Sequence, residues 1–149
     1  MAFKFPRCKR NQDGTYGPTS RNHYYRPAPY HARTSLKRSS KTRWCLRESE
    51  EFYVFRIADE PWWECVINRC LFSIVDFGNI VLGEDGERLA AFPFPSNAND
   101  PFPSNANDPW HGYPIRSEES KPNPDLLDRW EEEGIITAHV RRKIETGKL

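Results

Sequence analysis

Between Arg21 and Trp44 the chain interleaves cations with flat rings: Arg21, Tyr24, Tyr25, Arg26, Tyr30, Arg33, Lys37, Arg38, Lys41, Arg43 and Trp44. Cations neutralise phosphates and rings stack on bases, so this pattern carries the chemistry of nucleic-acid binding. Arginine outnumbers lysine eight to four over residues 1–47, which favours bidentate phosphate contacts over plain solvation. A second expectation rests on the same charges. Residues 1–47 sum to +11 and residues 48–149 to −10, so the basic segment could instead wrap an acidic protein, its own body included.

Signals for catalysis are sparse. His111 sits in a loop with Asp100 and Asp108 before it and Glu118 and Glu119 after it, and a histidine beside a carboxylate can act as a general base. His111 is therefore the one weak catalytic candidate, in a small nuclease-like enzyme. No glycine-rich phosphate loop, nucleophile elbow or metalloprotease helix accompanies it. The four cysteines, Cys8, Cys45, Cys65 and Cys70, form no C-x-x-C pair, and adding His23 and His31 does not give the spacing of a zinc site. No metal and no cofactor is expected, and the thiols read as reduced, in a cytoplasmic protein. Arg141, Arg142 and Lys143 near a helix C-terminus complement the helix dipole rather than read DNA. Trp62 and Trp63 are adjacent, so on a strand they face opposite sides. With Trp110 and Tyr113 they are the candidate protein-interface residues.

The elements that would position these groups divide the chain. Residues 1–47 hold two branched aliphatics, Leu36 and Leu46. That is too little to offset the entropy of ordering, so this arm is expected to be irregular and disordered unless bound. Residues 48–149 form an acidic body. Strands are expected over 51–57, 62–68, 70–75, 78–82 and 87–92, with Asn68-Arg69 and Asp85-Gly86 at turns. Hairpin-length links make an antiparallel meander. Residues 93–123 read as a Pro/Asn-rich loop, within which Phe-Pro-Ser-Asn-Ala-Asn-Asp-Pro occurs twice in succession, at 94–101 and 102–109. Two copies of eight residues are too few and too short for a solenoid. The aromatics after them are expected to fold back onto the sheet.

Residues 124–147 are expected to form a helical hairpin. Asn123 caps the first helix, Pro124 enters its first turn, and Asp125 faces the positive end of the dipole. Leu126, Leu127 and Trp130 recur at helical spacing, and Gly134 ends the helix. Thr137 caps a second helix bearing Val140 and Ile144, and Gly147 closes it. Leu126, Leu127, Trp130, the run Gly134-Ile135-Ile136-Thr137 and the closing Lys148-Leu149 make this segment, residues 125–149, resemble the C-terminal helical hairpins called SHOCT domains. It departs from them at Ala138-His139-Val140, where an acidic pair and an aromatic are usual, and at Gly147. The resemblance implies an oligomerisation or docking element rather than an active site.

The fold class is therefore α+β: a small antiparallel meander, a C-terminal αα-hairpin and a long basic N-terminal arm. No apolar run is long enough to span a membrane. The functional expectation is a small non-catalytic binding or regulatory protein. Its arm would engage nucleic acid or an acidic partner, while its acidic body engages protein or a second copy of itself. An alternative is an immunity or antitoxin-type protein whose acidic body masks a basic toxin or nuclease.

Overall fold

Glu48 and Glu50 set two carboxylates into one helical turn, where they complement the dipole of an N-terminus. The computed structural model describes residues 3–28, 31, 42–95 and 109–149, and in it they open α1 (Glu48–Asp59). Glu50 reaches back to accept the Arg47 N–H at 2.8 Å. This helix corrects the strand expected over 51–57. Phe52, Val54, Phe55 and Ala58 are β-formers or small residues, but their burial, with Glu51 and Asp59, follows the helical period of one stripe. Packing of that stripe outweighs local strand propensity.

α1 covers a four-stranded antiparallel sheet in the order β1 (Glu64–Cys65), β2 (Cys70–Ser73), β3 (Leu89–Pro93) and β4 (Tyr113–Ile115). Every β2 residue is buried, and Ser73 Oγ donates to the Val54 carbonyl at 2.7 Å, tying strand to helix. The meander is as expected, although the strand expected over 62–68 is reduced to Glu64–Cys65, with Trp62 in a turn at φ +64°, and two further parts differ. Residues 78–82 form no strand. They leave a 3₁₀ turn (Asp76–Gly78) and reach Gly83, which bridges to Trp44. The Asp85-Gly86 turn follows, with Gly86 at φ +89°. The fourth strand comes instead from inside the expected loop, where Tyr113–Ile115 pairs with Leu89–Ala91. Its Pro114, which lacks an N–H, is tolerated because β4 is an edge strand.

The C-terminal hairpin forms from its local signals. Asn123 accepts the Leu126 N–H at 3.0 Å at the start of α2 (Pro124–Glu132). Thr137 Oγ1 accepts the Val140 N–H at 3.1 Å before α3 (Ala138–Glu145). Trp130 is wholly buried and meets Trp63 edge-on at 5.4 Å. Arg141 pairs with Asp128, Glu131 and Glu145, which occupies it within the hairpin.

The N-terminal segment is part of the core. Tyr25 is 0% exposed and Trp44 1%. Tyr25 stacks on Phe55 at 5.4 Å, Tyr16 stacks on Phe52, and Phe3 and Phe5 lie against Tyr53. The backbone of Tyr25 bridges antiparallel to Tyr16 and parallel to Trp110. Over residues 3–28 and 42–47 the arm, expected to be disordered unless bound, lies against its own body. Aromatic rings bury as much surface as the missing aliphatics would have supplied. Tyr30, residues 32–41 and most of the octapeptide duplication, 96–108, lie outside the described residues.

Candidate functional site

Of the eleven residues read as nucleic-acid contacts, the described ones are not brought onto one surface. Tyr25 and Trp44 are core, so neither can stack on a base; Trp44 Nε1 donates to the Gly112 carbonyl at 3.2 Å instead. Arg43 pairs with Glu84. Arg33, Lys37, Arg38 and Lys41 lie outside the described residues. Arg26 is exposed and Tyr24 half-buried. Four further cations, Lys4, Arg7, Lys9 and Arg10, are exposed on the segment that crosses α1. Among the described residues, neither they nor the Arg26 side chain makes an ion pair or a side-chain hydrogen bond.

Arg21 belongs to a second, more closely built arrangement. Gly17, at φ +121°, turns the chain so tightly that a Cβ there would lie 2.8 Å from the His23 carbonyl oxygen. The resulting loop, 19–23, is clamped on the C-terminal end of α1. Thr19 Oγ1 donates to Asp59 Oδ2 at 2.6 Å, and His23 Nδ1 lies 2.7 Å from Asp59 Oδ1. Ser20 N–H donates to Glu60 Oε2 at 2.9 Å. Asp59 is 0% exposed, and both its oxygens are taken by this loop.

Because a carboxylate oxygen accepts, the neutral His23 ring carries its hydrogen on Nδ1 and keeps the lone pair on Nε2. Nε2 makes no hydrogen bond to a described residue and is not sealed from solvent, and the side chain is 22% exposed. The ring lies 5.4 Å from Trp110 and 6.2 Å from Trp62. Arg21 flanks the same Trp62 indole, its guanidinium carbon 5.0 Å from the ring centre. Its Nε donates to the Asp59 and Glu60 carbonyls at 2.8 and 3.2 Å, so the guanidinium is anchored while its terminal NH₂ groups make no hydrogen bond to a described residue. The arrangement can hold an anion at Arg21 and move a proton at His23.

No sequence motif announced His23 with Asp59, which are 36 residues apart. The usable signal was the helical stripe of α1, whose last inward position is Asp59. His111 is exposed and its Nδ1 lies 2.7 Å from the Arg26 carbonyl oxygen, to which it donates. Asp100 and Asp108 lie outside the described residues, so no described carboxylate orients it. Among the interface candidates, Trp63 and Trp110 are each 4% exposed and pack in the core. Trp62 stacks on Phe94 and Tyr113 on His31, both half-buried.

A buried Glu51 also stands in the core, where Tyr25 OH donates to it at 2.9 Å. Burial pushes its carboxyl up to about 8. Among the described residues no cluster of His, Cys, Asp and Glu could hold a metal ion, and no helix is long and apolar enough to cross a membrane. Cys8, Cys45, Cys65 and Cys70 are free thiols. No family model, curated protein or solved structure matches the chain.

Proposed function

We propose that the protein binds nucleic acid through a folded basic face on its N-terminal segment. The supporting observation is that Lys4, Arg7, Lys9, Arg10 and Arg26 are exposed and without ion pairs among the described residues, although their segment packs on an acidic body. A strap that wrapped the body by charge would set these cations on body carboxylates. Ring contacts and the contacts of Thr19, His23 and Arg43 with Asp59 and Glu84 hold the segment, and these five cations stay exposed, available to phosphates. The stacking contribution once expected from Tyr25 and Trp44 drops out, so binding should depend on charge.

Fluorescence anisotropy with a labelled single-stranded oligonucleotide tests this. Five neutralised phosphates give a log–log salt slope of about −3.5. Lys9→Glu with Arg10→Glu should weaken binding and flatten the slope without lowering the melting temperature, since neither side chain is buried. No binding by the full chain at low salt, or no effect of the double substitution, overturns the proposal. A protein whose acidic body masks a basic toxin would keep its partner after those substitutions.

A further inference from the structure

We infer that His23 is the general base of an RNA-cleaving site, with Asp59 orienting it and Arg21 holding the scissile phosphate; this rests on the nucleic-acid reading above. Three features carry the inference. The first is the linkage from a wholly buried carboxylate to an imidazole nitrogen at 2.7 Å, with Thr19 occupying the other carboxylate oxygen at 2.6 Å. It fixes ring and tautomer together and leaves Nε2 as the acceptor. The second is that Nε2 is not sealed from solvent and has no partner among the described residues, so it is open to take a proton. The third is Arg21, a fixed cation on the same indole, whose NH₂ groups have no partner among the described residues.

A fixed base and a fixed cation suit a substrate that carries its own nucleophile. RNA does, in its 2′-hydroxyl, so the step needs no metal-generated hydroxide. His23 Nε2 takes the 2′-hydroxyl proton as O2′ bonds to phosphorus and the P–O5′ bond breaks. The departing O5′ takes a proton from water, and the imidazolium returns its proton to the resulting hydroxide. The products are a 2′,3′-cyclic phosphate and a 5′-hydroxyl, with atoms and charge balanced. Arg21 meets the charge on the non-bridging oxygens. DNA, lacking the 2′-hydroxyl, should bind and remain intact.

The test uses the full chain with a fluorophore–quencher RNA oligonucleotide and its DNA counterpart, at low salt, with binding followed in parallel. Cleavage of the RNA alone, ending in cyclic phosphates by mass spectrometry, is expected. His23→Gln, purified identically, should lose at least about 100-fold in kcat while binding RNA as before. Asp59→Asn should lower kcat with KM unchanged, a split that a merely loosened fold would not give. Binding without cleavage, equal cleavage by His23→Gln, or equal cleavage of DNA overturns this inference alone. Absence of binding overturns it together with the nucleic-acid reading. Should His23→Gln fail to fold, the RNA–DNA comparison and end-group analysis on the unaltered protein still decide.

Discussion

Replacing Glu51 by glutamine should make the protein insensitive to a pH range over which it otherwise weakens. Glu51 is 1% exposed on α1, and burial raises its carboxyl from the ordinary 4.5 to about 8. A folded state that holds a proton more tightly than the unfolded chain is most stable below the unfolded value. It loses that advantage as pH rises through the folded one. At about 1.4 kcal/mol per pH unit, the gap from 4.5 to about 8 corresponds to about 5 kcal/mol in full. About 4 kcal/mol of that falls between roughly pH 5 and 9. Glu51→Gln keeps the shape and can still accept from Tyr25 OH, but has no charge to bury. Guanidinium denaturation at several pH values should show the two proteins within about 1 kcal/mol of each other near pH 5. The glutamine variant should be the more stable by several kcal/mol near pH 9. Parallel pH dependences, or a variant less stable than the parent at alkaline pH, would refute the reasoning.

Trp130→Ala and Trp44→Ala should each cost about 3–5 kcal/mol in denaturant midpoints, because both indoles are essentially sealed in the core; for Trp44 the loss should appear without any oligonucleotide present. Gly112→Ala should destabilise by about 1–3 kcal/mol or more, since its Cβ would stand 2.0 Å from Phe92 Cδ1. Gly134→Ala, at φ +74° with nothing within 4 Å of an added Cβ, should cost about 1–2 kcal/mol from backbone strain alone, read by thermal melts. In the native protein an aromatic disulfide reagent should label the exposed Cys45 and leave the buried Cys65 and Cys70 until denaturant is added.

The C-terminal hairpin was legible because its determinants are local. Asn123, Thr137 and Gly134 act on backbone groups within three or four residues, so reading them needs no knowledge of the rest of the fold. The turns at Asn68-Arg69 and Asp85-Gly86 were legible for the same reason. α1 was misread because Phe52, Tyr53, Val54 and Phe55 favour a strand, while the stripe that makes a helix of them contains two acids, Glu51 and Asp59. Those acids look like surface residues until their partners, Tyr25 and His23, are known. The partners come from a segment that composition had set aside. Counting branched aliphatics missed that Tyr16, Tyr25 and Trp44 could fill the core. β4 hid for a different reason: a three-residue strand with a central proline has no periodicity to detect.

The parallel bridge from Tyr25 to Trp110 sets an order of events during synthesis. Tyr25 leaves the ribosome ahead of Trp110, which emerges only after α1 and three strands have been made. Contacts so distant in sequence close late, and chain elongation at roughly 5–20 residues per second leaves several seconds before they can form. During that interval Tyr25 can reach Tyr16, Glu51 and Phe55 but lacks its last backbone partner. Nascent chains of this protein should therefore depend on chaperone cover more than their length implies, and stalling before residue 110 should yield a product that proteases remove.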